Sequence, residues 1–280
     1  VFSLGDPTVG RCGERACPES YVAKLQQEYN LDKPLPEQYV RYMGKVVQGD
    51  LGTSFNGNKV TDQLSTRWPI TIKLATIAIA FETLIGISAG LLAGLRRRSF
   101  WDSLVFVTTL VIISIPSFVL GSVAQMVFGV RLGWFPVTST QGTWEQLILP
   151  GFVLGSMSMA YVARLTRNSL AENLSADYVR TARAKGLSAG RVVGVHTFRN
   201  SLVPVVTFIG ADFGALMGGA IVTERIYNIP GIGGYIFHSI NTKDATAVVG
   251  TITLLVLIFL AMNLIVDLLY GALDPRIAHE

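Results

Sequence analysis

Few residues in this 280-residue chain have the types and spacing that covalent chemistry requires. The three histidines, His196, His238 and His279, are far apart in the sequence and show no metal-ligand spacing. The stretch from Gly52 to Lys59 has the glycines of a phosphate-binding loop, but its lysine comes one position late and no hydroxyl residue follows it. The sequence therefore predicts no metal site and no nucleotide site, and we expect none of the residues in this chain to be catalytic.

Two acidic residues, Glu82 and Asp212, stand near the middle of long apolar stretches. A charge inside a bilayer costs at least about 2.5–3.5 kcal/mol, so each carboxyl group is expected to face the bundle interior, a water-filled path or a polar partner. Two interpretations remain open: each residue lines a translocation path, or each forms a buried structural hydrogen bond. Pro116, in another apolar stretch, is predicted to kink its helix, which makes it a third candidate for the path.

The chain that positions these residues has the composition of a membrane protein. Half of the residues are hydrophobic and 15% are charged, whereas soluble domains average about 25% charged residues. Five apolar blocks are long enough to cross a bilayer as helices, and they are continuous rather than alternating, which argues against a barrel. The predicted spans are residues 70–95, 104–130, 147–165, 202–222 and 247–269. The predicted fold is therefore all-α and polytopic.

Loop charges predict the orientation of these spans. Arginines cluster at residues 96–98 and in the loop 167–201, and basic loops stay in the cytoplasm. This places residues 1–69 outside as an extracytoplasmic segment and makes residues 70–280 the transmembrane domain. Because the amino end would then lie outside, we expect one more span before residue 1, with residues 1–4 as its last turn. The net charge of +4 is explained by these loops, and we expect membrane lipid rather than nucleic acid as its partner.

Two cysteines, Cys12 and Cys17, fall in the predicted extracytoplasmic segment. An oxidising compartment permits a disulfide between them, and two free thiols are the alternative. Both interpretations stay open.

The large cytoplasmic loop is predicted to form two short helices joined by a tight turn. Ser175 and Ser188 are placed to cap the two helices, and Gly186 is placed to end the first in the left-handed conformation. A small apolar patch with a basic rim would suit docking into a groove on another protein, and contact with lipid headgroups is the alternative. The patch and rim comprise Tyr178, Ala182, Leu187, Arg180, Arg183 and Lys185.

This loop carries the motif Asp177-Tyr-Val-Arg-Thr-Ala-Arg-Ala-Lys-Gly186, with Pro204 after it. The motif resembles the cytoplasmic coupling loop of binding-protein-dependent ABC importer permeases, and more narrowly that of the dipeptide/oligopeptide/nickel permease family. Four further stretches are similar to the same family, so that the resemblance covers nearly the whole chain. They are Gly49-Asp-Leu-Gly-Thr-Ser-Phe55, Ser114-Ile-Pro-Ser-Phe118, residues 223–233 and residues 267–275.

The resemblance implies the fold of an ABC importer type I transmembrane domain and a function in ATP-driven uptake of peptides into a prokaryotic cell across its cytoplasmic membrane. It implies no ATPase activity in this chain, because ATP and Mg would be bound by partner subunits. The implied partners are a homologous second permease, two cytoplasmic ATPase domains and an extracytoplasmic substrate-binding protein. The implied ATPase-coupling residues are Asp177, Tyr178, Arg180, Thr181, Ala182, Arg183, Ala184, Lys185, Gly186 and Leu187. The chain departs from the wider importer pattern at Arg180-Thr181-Ala182, where that pattern has Glu-Ala-Ala.

Other functions are compatible with the residues taken alone. An ion-coupled secondary transporter could use Glu82 or Asp212 as its proton site, and a membrane scaffold or receptor would transport nothing. Within the resembled family, nickel or another small solute is an alternative cargo. Glycines at every fourth position predict close helix packing rather than substrate contacts. They are Gly86, Gly90, Gly94, Gly210, Gly214 and Gly218.

Overall fold

The computed structural model describes residues 18–20, 23 and 33–273, and within these residues the protein is helical. Among these residues, Thr53 and Lys59 form an isolated antiparallel β-bridge. The helices are α1 (Leu35–Val47), α2 (Val60–Phe81), α3 (Ile87–Leu95), α4 (Phe100–Ser114), α5 (Ser117–Ala124), α6 (Trp144–Ser175), α7 (Asp177–Ala184), α8 (Ala189–Arg191), α9 (Phe198–Ile226), α10 (Ile232–Asn241) and α11 (Ala245–Leu273). Single π-helical segments lie between α2 and α3 (Glu82–Gly86), after α5 (Gln125–Arg131) and between α8 and α9 (Val192–Thr197). The all-α prediction is confirmed.

Some predicted features fall on residues that are not described. Cys12, Cys17 and His279 lie outside the described residues, as does the side chain of His196. The choice between a disulfide and two thiols therefore stays a prediction.

Four helical stretches are long and apolar enough to cross a membrane, and a bent pair makes a fifth. They are Val60–Leu95, Trp144–Ser175, Ala189–Met217, Ala245–Ile265 and the pair Phe100–Ser114 with Ser117–Arg131. Four of the five predicted spans are confirmed as single helical stretches and the fifth corresponds to the bent pair taken as one span, but several helices are longer than predicted. The first begins at Val60 rather than at residue 70, and α6 continues to Ser175 rather than ending at residue 165. Hydropathy detects only the apolar part of a helix, so it does not predict the polar turns that extend beyond the bilayer.

The second span is broken rather than simply kinked. Helices α4 and α5 meet at an angle of 103°. Pro116 has no N–H to continue the ladder of α4, and Ile115 before it has the extended backbone (ψ 124°) that a residue preceding proline prefers. The predicted kink at Pro116 is therefore confirmed in position and is much sharper than a bend within one helix.

Helix α6 packs against the long helix Val60–Leu95 at backbone distance. A Cβ added at Gly155 would lie 2.6 Å from the carbonyl oxygen of Ala78, and one added at Gly90 would lie 2.5 Å from that of Ala163. A Cβ added at Gly86 or at Gly94 would come similarly close to side chains of α6. The predicted packing seam at Gly86, Gly90 and Gly94 is confirmed, and we call these residues together with Gly155 of α6 the glycine seam.

Helix α4 is attached to α6 by polar contacts. Arg167 donates from Nε to Asp102 Oδ1 at 2.6 Å and from Nη2 to Asp102 Oδ2 at 3.0 Å. Three residues earlier on α6, Arg164 donates to Thr109 Oγ1 at 3.1 Å. Arg167, which was assigned to the cytoplasmic loop, is thus part of a helix and is neutralised by a largely buried carboxylate.

The segment before α2 folds back onto the far end of the bundle. Ser54 donates its hydroxyl to Asp244 Oδ2 at 2.5 Å, and the backbone N–H of Phe55 donates to the same oxygen at 2.9 Å. Leu51 is buried in one cluster with Val60 of α2 and with side chains of α10 and α11. These contacts give the stretch at residues 49–55 a structural role at this end.

We predict that Gly155→Ala destabilises the protein by about 1–3 kcal/mol, because the added methyl group meets backbone of α2, which cannot move aside as a side chain can. The measurement is thermal unfolding of the purified protein in detergent, followed by tryptophan fluorescence.

The matched control is Gly44→Ala in α1, where a Cβ has no neighbour within 4 Å. This change should be neutral or stabilising, because alanine is the better helix former. Equal unfolding temperatures for the two variants would contradict the role given to the glycine seam.

Candidate functional site

Helix α7 is a short amphipathic helix at one end of the bundle. Val179 and Ala182 are buried and pack with Val192, with Leu187 beside them. The opposite face is charged and exposed, and the weak pair Arg180–Asp177 (3.6 Å) has side chains that are 77% and 96% exposed. The helix therefore exposes a polar face, while its apolar face is held by the protein itself.

This geometry corrects the predicted docking patch. Ala182, which was placed on the exposed patch, is only 8% exposed and faces inward, whereas Tyr178 does face outward. The types of the side chains alone do not show which face of this helix the fold covers. The residues of α7 that are exposed are Asp177, Tyr178, Arg180, Thr181, Arg183 and Ala184.

The ends of α7 are also partly different from the prediction. Gly186 has a φ of +75°, so its role as the left-handed residue after the helix is confirmed. Ser175 does not cap α7, because its hydroxyl donates to carbonyls within α6, and Ala176 occupies the N-cap position. Ser188 stands at the N-cap of α8 but makes no side-chain capping bond there.

Helix α7 is connected to two long helices. Tyr178 donates its hydroxyl to Asn173 Oδ1 on α6 at 2.6 Å. Val192, buried against α7, belongs to the π-helical segment that continues into α9. A displacement of α7 would thus reach both α6 and α9.

Glu82 and Asp212 are brought together inside the membrane-spanning region. Glu82 is fully buried, and neither of its carboxyl oxygens has a hydrogen-bond donor among the described residues. Its carboxyl group faces that of Asp212, which also has the hydroxyl of Ser158 on α6 as a neighbour. Two carboxyl groups can share a hydrogen bond only when one of them holds a proton. No pattern in the sequence pairs these residues, which are 130 positions apart.

Pro116 is not part of that pair. It lies at the break between α4 and α5, where the chain turns toward the end opposite α7. There Tyr227 donates its hydroxyl to the carbonyl oxygen of Gly121 at 3.0 Å, and Gln125 donates to that of Ile226 at 3.1 Å. Helix α5 is consequently fixed to the end of α9.

A buried carboxylate that the sequence analysis did not single out organises this opposite end. Glu224, fully buried near the end of α9, accepts a hydrogen bond from Thr71 Oγ1 at 2.7 Å and one from the N–H of Gly234 at 2.9 Å. Thr71 in turn accepts from the N–H of Ile232 at 2.9 Å. One acidic side chain thus joins α2, α9 and α10.

The glycines after Pro230 explain how α10 can approach so closely. A Cβ at Gly231 would lie 2.3 Å from Glu224 Oε1, and one at Gly233 would lie 2.5 Å from the backbone of Ile221. In the sequence, Glu224 is followed by closely spaced glycines. This pattern does not predict the contact, because the partner Thr71 lies 153 positions away on the facing helix.

A family model described as "Binding-protein-dependent transport system inner membrane component" matches residues 86–279. The chain is 39% identical to the Dipeptide transport system permease protein DppB of Alkalihalophilus pseudofirmus, over 98% of this chain and 91% of that protein. It is 38% identical to the Di/tripeptide transport system permease protein DppB of Pseudomonas aeruginosa and to the Glutathione transport system permease protein GsiC of Escherichia coli, each over 99% of this chain and 90% of the relative.

Solved structures share the fold at low sequence identity. A structure of the MetNI methionine ABC transporter in an inward-facing conformation matches with a TM-score of 0.64 and 18% identity, over 76% of this chain and 96% of that one. An amino acid ABC transporter with histidines matches with a TM-score of 0.56 and 15% identity, over 77% of this chain and 94% of that one.

We predict that Ala182→Phe lowers the thermal stability of the protein by an amount equivalent to about 1–3 kcal/mol, since the ring must enter the packed contact with Val179 and Val192. Ala184→Phe, two positions on and exposed, should change the free energy of unfolding by less than about 0.5 kcal/mol. The reverse order in a detergent melting experiment would show that α7 is turned the other way.

We also predict strong coupling between Thr71 and Glu224. Thr71→Val removes a donor to the carboxylate and an acceptor for Ile232, and Glu224→Gln replaces one acceptor oxygen by a donor. Each change should cost about 1–3 kcal/mol, and the double variant should be less destabilised than the sum by about 0.5–3 kcal/mol. Additive unfolding free energies in this double-mutant cycle would contradict the contact.

Proposed function

We propose, on the premise that the chain belongs to the family of binding-protein-dependent transport system inner membrane components, that it carries peptides across the bacterial cytoplasmic membrane. It is a multi-pass membrane protein and a permease subunit of an ABC importer with the type I transmembrane fold. Relatives are named for the transport of dipeptides, di- and tripeptides, and glutathione, all of which are short peptides. These names support peptides over nickel or another small solute. The near full-length match to permeases does not favour an ion-coupled secondary transporter.

The partners that we propose follow from the architecture of such importers. A homologous second permease would complete the translocation path, and an extracytoplasmic binding protein would deliver the peptide. Two cytoplasmic ATPase domains would bind ATP and Mg and dock on α7, and this chain would contribute no hydrolytic residue.

The position of α7 is the observation that carries this proposal. Its exposed face carries both signs of charge and is free for a docking partner, while its buried face and its ends are joined to α6 and α9. When the ATPase domains close, they would move α7, and the movement would pass into the two helices that contact each other and the rest of the bundle.

Within the membrane, Glu82, Asp212 and Pro116 are the residues that we propose for the translocation path. The carboxyl pair offers polar atoms where the surrounding spans are apolar, and the break at Pro116 separates α5 from α4 so that the two can move apart. Helix α5 and the end of α9 are fixed to each other and would move together.

We predict that reversing both charges on the exposed face, Arg180→Glu with Arg183→Glu, reduces ATP-driven peptide uptake about tenfold or more. Both side chains project from α7, so the folded permease should remain intact while docking to acidic or polar groups of the ATPase is lost. The measurements are co-purification of the ATPase subunits and peptide uptake by the reconstituted complex in vesicles.

The matched control is Arg131→Glu, which changes the exposed last residue of the second span, at the end opposite α7. It should change neither co-purification nor uptake. Normal uptake by the α7 double variant would contradict the role of α7, and ATP-independent uptake by the unsubstituted complex would contradict the proposed function itself.

A further inference from the structure

A polar cavity of about 300 Å³ opens at the end of the bundle opposite α7. It lies between the start of the first span, the end of α9 and helix α10. Residues that line it include Arg67, Thr140, Glu224, Arg225, Asn228 and His238. On the orientation given by the loop charges, this cavity faces the outside of the cell.

Two arginines in the cavity are held over aromatic rings of α10. The guanidinium carbon of Arg67 lies 5.1 Å from the ring centre of Tyr235, and that of Arg225 lies 4.8 Å from the ring centre of Phe237. A guanidinium that uses its face on a ring keeps the N–H groups at its edge for hydrogen bonds in its plane. The rings therefore orient both groups without consuming their donors.

The donors of these arginines are incompletely used within the described residues. Arg67 donates from Nη2 to Gln63 at 3.4 Å, and its buried Nε has no acceptor there. None of the described ion pairs includes Arg67 or Arg225. Guanidinium groups with spare donors are well suited to carboxylates, which they bind through two parallel hydrogen bonds.

The charge of the cavity is not already balanced. Glu224 is close enough to Arg67 for electrostatic attraction, but both of its oxygens accept bonds from Thr71 and Gly234. Two guanidinium groups against one carboxyl group leave the cavity with a net positive charge. An additional carboxylate would offset this charge.

We propose that this cavity is a binding site for one carboxylate group on the entry side of the permease, with Arg225 and Arg67 as its ligands. The inference rests on the proposed function, since it names what the site receives during peptide import. The carboxylate could come from the carboxyl terminus of the peptide cargo or from an acidic side chain of the binding protein that delivers it. The chemistry recognised by the two arginines is the same in both cases.

The test uses the full importer in lipid nanodiscs for docking and in proteoliposomes for uptake, with its partner subunits and binding protein. Arg225→Gln is the main variant because the side chain is exposed, and Arg67→Gln is the second. Arg131→Gln removes an exposed arginine outside the cavity and is the matched control. The two measurements are the affinity of the peptide-loaded binding protein for the complex, and uptake at saturating binding protein for a peptide and for its carboxyl-terminal amide.

If the binding protein supplies the carboxylate, Arg225→Gln should weaken docking about tenfold or more, as expected for loss of a charge-assisted hydrogen bond. If the cargo supplies it, docking should be unchanged, and uptake of the free-acid peptide should fall about tenfold while uptake of the amide does not. Either result supports the site.

Two results would overturn it. Docking and uptake that match the Arg131→Gln control in both cavity variants would show that no carboxylate binds there. An equal loss of uptake for the peptide and its amide, with normal docking, would show that the arginines act on gating instead. Both differ from failure of the proposed function, in which the unsubstituted importer shows no ATP-dependent peptide uptake.

Discussion

The close approach of two backbones, those of α6 and the Val60–Leu95 helix, is the contact on which the other helices of the bundle depend. Lipid tails are as apolar as leucine, so helices in a membrane associate through packing and polar contacts rather than through the hydrophobic effect. Small residues at Gly90 and Gly155 allow that packing at backbone distance. The Asp102–Arg167 pair attaches α4 to α6. Helix α7 begins directly after the end of α6.

Two polar regions of different character lie at the two ends of the bundle, with the glycine seam between them. At one end α7 exposes charges while it remains attached to α6 and α9. At the other end Glu224 joins α2, α9 and α10 through buried hydrogen bonds. Because α9 reaches both regions and the packed helices between them have little free volume, a shift at α7 has a rigid route to the opposite end.

The sequence could predict features that depend on neighbours along the chain. Long apolar blocks marked the spans, four-residue glycine spacing marked the seam, and Gly186 marked the end of α7. It could not predict features that depend on distant partners. The inward position of Ala182 depends on Val192, and the role of Glu224 depends on Thr71. Proline marked the break at Pro116, but the contact of α5 with Tyr227 beyond that break joins residues that are distant in the sequence.

The length of the helix Val60–Leu95 has a consequence for the surrounding lipid. Its 36 residues extend about 54 Å at roughly 1.5 Å per residue, well beyond a hydrocarbon core of about 30 Å. Because the glycine seam fixes it to α6, the helix cannot adjust its tilt alone when bilayer thickness changes. Hydrophobic mismatch would therefore act on the two helices as one unit.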